Sequence, residues 1–189
     1  MVATVDIQEA MGSTPTWYTV TAARYATYDN YNPGTNNPCV VPTSGYNYSY
    51  WKHHALYMYG SFTQINNIRA YTDGAIGWAL GTGGALLVAR RDTSYHGCPA
   101  NQYYPSVGTV GTSGTYLKTA TTGHLWYQGQ TIAPIDFGNY TSAAPLTIDD
   151  TTYTSSARAN SLVTQVMVAS DATQGAKAAE TVTIVYDEI

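Results

Sequence analysis

Residues 162–189 read LVTQVMVASDATQGAKAAETVTIVYDEI and contain two strand-like runs separated by small residues. In the second run Val182, Ile184 and Tyr186 alternate with mostly polar neighbours, which is the period of two expected of a half-buried strand. The first run, residues 162–169, is apolar on both faces, as in a strand near the middle of a sandwich. About ten residues separate the runs, which is long for a tight hairpin. We therefore expect the two strands to lie in different sheets.

The rest of the chain repeats this pattern of short strands between turns rich in Gly, Pro and Asn, without a long amphipathic helix. Strands are predicted at residues 3–7, 16–23, 55–59, 61–71, 78–80, 85–91, 116–119, 125–127 and 146–148. The alternation fails at Asn66 and Asn67, which indicates a β-bulge, and residues 155–160 are predicted to form a helical turn. Closely spaced short strands predict an all-β fold, an antiparallel and jelly-roll-like β-sandwich in one domain over residues 1–189.

The composition of the chain is sparse in charge and rich in tyrosine. Charged residues make up 11% of the chain and the net charge is −4, against about 25% charged residues in ordinary soluble domains. There are 18 Tyr and 4 Trp but only 2 Phe. Tyr suits surfaces that a partner covers, because its ring is apolar and its tip polar. The alternative is that Tyr replaces Phe in strands, where both are favoured.

This sparse charge fits a surface covered by neighbouring molecules, or a secreted protein, better than a free cytosolic protein. The N-terminus has neither the basic region nor the apolar core of a signal peptide, and no apolar run approaches the roughly 18 residues of a membrane span. We therefore expect synthesis in the cytoplasm and no membrane association. Ala3, Val5 and Ile7 alternate with polar residues, so residues 1–12 are predicted to form a short strand or an extended arm.

Residues 29–45, DNYNPGTNNPCVVPTSG, are predicted to form a long surface loop, because Asn, Pro and Gly dominate them. Loops of this length often bind something. Directly after the loop, Tyr46, Tyr48 and Tyr50 are spaced by two, so an extended segment places them on one face and Trp51 on the other. We predict an aromatic contact stripe, with an ordinary edge strand as the alternative.

A second irregular stretch, residues 92–114, carries Tyr103 and Tyr104 ahead of a proline. The two cysteines, Cys39 and Cys98, lie one in each stretch and each beside a proline. In an oxidising compartment they are predicted to form one disulfide, and in a reducing compartment two free thiols.

The sequence contains no catalytic or cofactor signature. Neither a nucleophile motif nor a triad pattern is recognisable, and GTGG at 81–84 lacks phosphate-loop spacing and is predicted to be a hairpin turn. His53 with His54, and His96 with Cys98, lack the paired spacing of structural zinc sites. A total of 8 Lys and Arg provides no basic patch for nucleic acid. We predict a non-enzymatic protein without metal, cofactor or nucleic-acid partner.

Two stretches of the chain resemble known proteins. SFTQINNIRAYTDG at 61–74 and the ending VTIVYDEI are similar to small virion-associated β-proteins of tailed bacterial and archaeal viruses. VASDATQGAKAAETVTIVY at 168–186 also resembles the closing hairpin of immunoglobulin-like modules. The first resemblance implies a virion structural protein made in the host cytoplasm, of the capsid decoration or minor capsid type, with a tail or fibre component as the alternative.

For such a protein the resemblance implies contacts with the major capsid protein or other virion subunits, in a homo-oligomeric assembly. In this role an N-terminal arm adds to the exposed sheet edge of a neighbour. The contact residues predicted for the assembly are Val5, Ile7, Trp17, Tyr18, Tyr46, Tyr48, Tyr50, Trp51, Tyr103 and Tyr104.

Two other functions fit the same composition. A carbohydrate-binding module or adhesin would stack aromatic rings on host glycans, with hydrogen bonds from the loops rich in Asn and Asp. The candidates for such stacking are Trp51, Tyr103, Tyr104 and Trp126. An extracellular filament subunit is the other alternative, and it requires that the protein polymerise alone.

Overall fold

The computed structural model describes residues 2–12, 14–91 and 135–189. Within these residues the chain forms β-strands and a 3-10 turn at Phe137–Asn139 but no α-helix, so no helix there could span a bilayer. The strands are β1 (Thr4–Met11), β2 (Thr16–Thr19), β3 (Tyr46–Tyr48), β4 (Lys52–Tyr59), β5 (Ile65–Thr72), β6 (Ala85–Arg91), β7 (Ile135–Asp136), β8 (Leu146–Asp149), β9 (Ala157–Arg158), β10 (Ser161–Ala169) and β11 (Val182–Glu188). The prediction of an all-β fold is confirmed.

The strands form two antiparallel sheets. The large sheet has the order β2-β1-β4-β10-β6-β7, with β3 beside β10 and β9 beside β4, and the small sheet has the order β11-β5-β8. Leu56, Val88 and Leu162 of the large sheet belong to one core with Ile68 and Ile148 of the small sheet. The predicted antiparallel sandwich is therefore confirmed, whereas its jelly-roll-like character stays a prediction.

The central strand of the large sheet is β10, which pairs with β3 and β4 on one side and with β6 on the other. Leu162, Val166 and Val168 belong to the core shared with the small sheet. Val163 and Gln165 point the opposite way and are buried too. Burial on both faces explains why this run lacks alternation. Because β11 lies in the small sheet, the prediction that the two runs occupy different sheets is confirmed.

The predicted bulge lies in β5. Val185 of β11 pairs with Arg69 and Asp187 pairs with Asn66, so two residues of β5 face one residue of β11. Asn67 has a left-handed φ of 53°, which Asn tolerates better than most residues. Its amide donates to Asp187 Oδ2 (2.7 Å), and Arg69 Nη2 donates to Asp187 Oδ1 (2.9 Å). These contacts fasten the bulge to β11.

Of the two alternatives predicted for residues 1–12, a short strand or an extended arm, the structure shows a strand, β1. Residues 8–11 of β1 pair with β2, and residues 4–9 pair with β4. Residues 8 and 9 are thus bonded on both sides, whereas residues 4–6 pair with β4 alone. Val5 and Ile7 are half-buried and pack against the core of the chain, and their role as contact residues stays a prediction.

The helical turn predicted at residues 155–160 is also wrong. Residues 157 and 158 form β9, which pairs with Tyr57 and Met58 of β4, and Ala159 N donates to Leu56 O (3.0 Å). This segment therefore extends the pairing of β10 along β4, and the long-range ladder overrides the local preference.

The strand predicted at residues 78–80 does not form. Leu80 O accepts a hydrogen bond from Ala169 N (2.8 Å), and the Trp78 indole donates to Ala178 O (2.8 Å). These two bonds hold the segment against the end of β10 and the connection that follows it. The main-chain oxygens of Ala79 and Leu80 thus accept hydrogen bonds, from Thr173 N (3.1 Å) and Ala169 N, without a ladder.

Candidate interaction surface

One face of the large sheet points away from the small sheet and is termed the outer face. On β4, Leu56 points into the core, so its neighbours on the outer side are Tyr57 and, two residues further, Tyr59. On β2, Trp17 pairs with Ala10, which also lies on the outer face because the alternation of β1 places it there. Aromatic side chains that are each half-buried thus gather at this end of the outer face.

Arg158 on β9 connects these aromatic rings. Its Cζ lies 4.7 Å from the ring centroid of Trp17 and 4.7 Å from that of Tyr57. Its Nε donates to Gln8 Oε1 (2.7 Å). Tyr59 continues the stack, with its ring centroid 5.3 Å from that of Tyr57 and the planes inclined by 22°. Guanidinium and aromatic planes attract one another in this way, and the five residues are hereafter the Arg158 cluster.

Ala55 allows the Arg158 side chain to reach across β4. Arg158 pairs with Tyr57 between β9 and β4, whereas Gln8 pairs with Ala55 between β1 and β4. The guanidinium must therefore pass over β4 close to position 55 to meet the Gln8 amide. The buried methyl group of Ala55 leaves room for this path, which a larger side chain would block.

The opposite end of the outer face carries an exposed apolar patch. On β3, Tyr46 pairs with Ala169 and Tyr48 pairs with Met167, and all four lie on the outer face because Val168 between them points into the core. Tyr46 is 37% exposed and its neighbour in the preceding loop, Val40, is 42% exposed.

Asn47 alternates with Tyr46 and Tyr48 and so points to the inner side, where its side-chain amide donates to Val40 O (2.7 Å) and holds Val40 near β3. Val40, Tyr46 and Tyr48 are hereafter the Tyr46 patch. Arg158 and Ala169 mark the two ends of the outer face and lie about eleven residues apart, or about 35 Å at 3.3 Å per residue. The Arg158 cluster and the Tyr46 patch are therefore separate surfaces.

Charged side chains are buried on the inner side of β1 and β4. Glu9 pairs in register with His54. Lys52 Nζ donates to Glu9 Oε1 (2.7 Å), and His54 Nε2 donates to Glu9 Oε2 (3.1 Å). The side chains of Glu9 and Lys52 are each 1% exposed, and that of His54 is 7% exposed. Both oxygens of the carboxylate are thus engaged within the chain.

Two opposing effects set the pKa of the Glu9 carboxyl. Burial raises this pKa, because it disfavours the charged form. The hydrogen bond and charge of His54, and the charge and hydrogen bond of Lys52, act in the opposite direction and together outweigh burial. The pKa of Glu9 therefore lies below its ordinary value of 4.5, and the carboxylate is ionised at neutral pH.

The loop of residues 29–45 is attached to this buried pair. Lys52 Nζ also donates to Asn30 O (2.6 Å). Next along the loop, Tyr31 stacks on Tyr18 of β2, with ring centroids 4.1 Å apart and planes inclined by 7°. The start of the loop is thus held against the sheet, and the Tyr18 ring is largely used inside the chain rather than offered to a partner.

His53 and His54 cannot bind one metal ion together, because neighbouring residues of a strand point to opposite faces. His54 lies on the inner face with Glu9. His53 hydrogen-bonds through Nε2 to Ser161 Oγ, and its ring meets that of Trp17 edge-on at 5.6 Å. Among the residues that the structure describes, no three or more His, Cys, Asp or Glu side chains are grouped to hold a metal.

The predicted contact stripe after the loop is partly wrong. Tyr50 and Trp51 are only 3% and 5% exposed and lie with ring centroids 4.1 Å apart. The reason lies at Ser49, which is buried, donates through N to Val166 O (2.9 Å) and accepts through Oγ from Val166 N (2.9 Å). This contact interrupts the strand, so the alternation does not continue past it. The predicted residues that keep partial exposure are Trp17, Tyr18, Tyr46 and Tyr48, whereas Tyr103, Tyr104 and Trp126 lie outside the described residues.

Cys39 is half-buried and carries a free thiol. Burial raises the pKa of this thiol to about 11, so it is protonated at neutral pH and weakly reactive. The free thiol corresponds to the second of the two predicted alternatives, and the predicted disulfide partner Cys98, like His96, lies outside the described residues.

Sequence reasoning missed most of the Arg158 cluster and the buried pair of Glu9 and Lys52. Tyr57 and Tyr59 had a usable signal, because alternation in KHHALYMY places both on one face. Arg158 had none, since it lies in a strand of two residues. Glu9 and Lys52 are 43 positions apart, and only the pairing of β1 with β4 brings them together.

No protein-family model, curated protein or solved structure matches the chain. Its function must therefore be inferred from the composition, the sandwich and the two ends of the outer face.

Proposed function

We propose that the chain is a non-enzymatic virion structural protein, of the capsid decoration or minor capsid type, that binds neighbouring virion subunits through the Tyr46 patch. Its partners are the major capsid protein or other virion subunits, and many copies assemble on one particle. A tail or fibre position is the alternative location. The sparse charge and the abundance of tyrosine support an assembly protein of this kind.

The Tyr46 patch is the observation that carries this proposal. Exposed apolar surface is typical of protein contact sites, and Tyr is enriched among the residues that dominate binding. Tyr46 and Val40 are more than one-third exposed. Contact with a partner would remove this apolar area from water.

Contacts with neighbouring residues hold the Tyr46 side chain in place. The Tyr46 hydroxyl donates to Thr82 O (3.3 Å), and β3 is bonded to the central strand β10. Gly83, at a left-handed φ of 79°, makes space for the tyrosine, because a Cβ there would lie 2.5 Å from the Tyr46 hydroxyl. A surface fixed in this way loses little conformational entropy when a partner binds.

The placement of the titratable groups supports a non-enzymatic role. In the described part of the chain, the groups best suited to acid–base chemistry are Glu9, Lys52 and His54 on the inner side and His53 with Ser161 on the outer side. All five residues are buried and bonded within the chain. A catalytic acid or base must instead reach a substrate.

The two alternative functions, a carbohydrate-binding module and a filament subunit, require other features of the chain. A carbohydrate-binding module keeps only part of its predicted site, because Trp51 is buried and the other three candidates lie outside the described residues. A filament subunit must polymerise without a partner. Sedimentation of the purified protein separates this alternative from the proposed role, since a decoration protein stays small in the absence of its particle.

The test of the proposal is the copy number in particles purified from the native source, measured by quantitative mass spectrometry against the major shell protein. A fixed ratio corresponding to hundreds of copies per particle is expected for a capsid surface protein. A few copies would indicate the tail or fibre position. Absence from every particle would overturn the proposal.

A pair of variants then tests the patch itself. Val40→Ser combined with Tyr46→Ser removes the exposed apolar groups and is expected to lower particle occupancy at equal protein concentration. The matched control is Val182→Ser on β11, because Val182 is similarly exposed, at 38%, but lies on the small sheet. Equal occupancy by all three proteins would exclude the Tyr46 patch as the contact.

A further inference from the structure

The Arg158 cluster, about 35 Å from the Tyr46 patch by strand spacing, has the features of a ligand site. We propose that it binds an acidic saccharide, a glycan that carries the carboxylate of a sialic or uronic acid. This inference goes beyond the proposed assembly role, because it concerns different residues and a different partner. A partner bound through the Tyr46 patch would not use the residues of the Arg158 cluster.

Three contacts hold the guanidinium of Arg158 in place. Its Nε is committed to Gln8 Oε1, and the rings of Trp17 and Tyr57 flank its Cζ. Within the described residues, neither Nη1 nor Nη2 makes a hydrogen bond to the rest of the chain. These two groups form a planar fork that matches both oxygens of a carboxylate.

The fixed orientation also favours binding energetically. A long arginine side chain normally loses rotamer freedom when it binds a ligand. In the Arg158 cluster, Gln8 and the two flanking rings have already restricted that freedom. More of the interaction with a carboxylate is therefore available as affinity.

The tyrosines next to the fork favour a saccharide over an acidic peptide side chain. The hydroxyls of Tyr57 and Tyr59 make no hydrogen bond to other described residues. On the β1 side, Asp6 pairs in register with Tyr57, and Thr4 pairs with Tyr59. Asp6 already accepts from Thr19 Oγ1 (3.4 Å), so the phenol groups and the Thr4 hydroxyl remain to supply donors and acceptors. A ligand with many hydroxyls can use them all, whereas an acidic side chain can use only the fork.

The spacing of the cluster fits at least two sugar rings. The Tyr57 ring centroid lies 4.7 Å from Arg158 Cζ, and the Tyr59 ring centroid lies 5.3 Å from that of Tyr57. A sugar whose carboxylate binds Arg158 is therefore beside Tyr57, and the next sugar reaches Tyr59. The aromatic ring of Tyr59 offers an apolar face to the C–H groups of that second sugar while its hydroxyl stays polar.

Titration of the full-length protein with four probes tests this inference by NMR spectroscopy and isothermal titration calorimetry. The probes are 3′-sialyllactose, an unsulfated chondroitin disaccharide, neutral lactose and acetylglutamate. At least one acidic saccharide is expected to bind with about tenfold or greater preference over lactose and acetylglutamate, which corresponds to about 1.4 kcal/mol. The two acidic saccharides distinguish a sialic from a uronic acid as the source of the carboxylate.

Variants identify the residues responsible. Arg158→Lys keeps the charge but removes the planar fork, and is expected to weaken acidic saccharide binding about tenfold. Tyr59→Phe keeps the ring stack, so folding is preserved, and is expected to weaken binding of the saccharide but not of acetylglutamate. Arg69→Lys is the matched control, because Arg69 is a half-buried arginine of the other sheet, and it should bind as the unmodified chain does.

The unmodified protein alone can overturn the inference, whatever the variants do to folding. Absence of binding to both acidic saccharides, or equal binding of lactose, would exclude an acidic saccharide site. Equal binding of acetylglutamate would exclude a saccharide-specific site. Unchanged binding by a folded Arg158→Lys variant would exclude Arg158. None of these results bears on the copy number in particles, so the proposed assembly role is tested separately.

Discussion

Lys52 Nζ lies 2.7 Å from Glu9 Oε1 in the interior of the sandwich, and both side chains are almost completely buried. The same ammonium group donates to Asn30 O, and His54 donates to the second oxygen of Glu9. One buried pair therefore joins β1, β4 and the long loop that follows β2. Because buried charges are costly unless they are paired and hydrogen-bonded, we expect this group to control the stability of that whole region.

Replacement of Lys52 by Met is expected to destabilise the protein by about 3 kcal/mol or more, because it leaves a buried carboxylate without its main counter-charge and frees the loop at Asn30. Urea unfolding followed by fluorescence measures the effect. The matched control is Arg69→Met, which breaks the solvent-exposed pair with Asp187 and should cost less than about 1 kcal/mol.

A double-mutant cycle tests the origin of this effect. Adding Glu9→Gln to Lys52→Met removes the unpaired charge, so the double variant should be less destabilised than the sum of the single variants. Additive free energies would contradict the view that the two charges stabilise one another.

Stability should decline as the solution becomes acidic. The pKa of Glu9 lies below its ordinary value of 4.5 for the reasons given above. Burial raises the pKa of Asp149, but hydrogen bonds from Asn160 N, the Tyr153 hydroxyl and Thr151 outweigh it, so this pKa lies below its ordinary value of 3.8. A folded-state pKa that is lowered contributes stability above the ordinary pKa and loses it as the pH falls through the folded value.

Urea midpoints between pH 7 and pH 3, at constant ionic strength, check this dependence. The midpoint should be nearly constant down to about pH 5 and then fall steeply. Asp149→Asn, which keeps an acceptor oxygen but does not titrate, should show a shallower fall. A midpoint that rises on acidification would mean that these carboxylates do not stabilise the fold.

Removal of residues 1–12 should abolish cooperative folding. The truncated chain lacks β1, which pairs with both β2 and β4, and leaves Lys52 without Glu9. Loss of a sharp thermal transition in circular dichroism is the expected result. A chain that begins at Ala3 is the control and should melt as the full chain does, because β1 starts at residue 4. A native-like melt of the chain that lacks residues 1–12 would support the prediction of an N-terminal arm.

The sequence predicted those parts of the fold that depend on a local pattern. Alternation identified β11, and the double-sided apolar run identified β10 as a central strand. The long connection between these two strands predicted that they lie in different sheets. The loss of apolar–polar alternation at Asn66 and Asn67 predicted the bulge, because an extra residue in one strand breaks the period of two.

The rest depended on contacts between distant residues, which local patterns do not encode. Tyr50 and Trp51 are buried because Ser49 bonds to Val166, 117 positions away. Lysine is typical of the protein surface, and only the pairing of β1 with β4 shows that Lys52 is buried beside Glu9. Arg158 lies in a segment with no strand signal of its own, and it joins the aromatic rings only through the pairing of β9 with β4.

Asn67 offers a test of the bulge that separates backbone from side-chain effects. Its left-handed φ of 53° costs most residues about 1–2 kcal/mol, and its amide donates to Asp187. Asn67→Ala loses both the backbone tolerance and the hydrogen bond, whereas Asn67→Gly loses only the bond, since Gly adopts this φ freely. Ala should therefore destabilise the protein more than Gly in urea unfolding, by about 1 kcal/mol. If Gly were the more destabilising of the two, the bulge would be held by the side chain alone, and the left-handed backbone would contribute nothing to the choice of Asn.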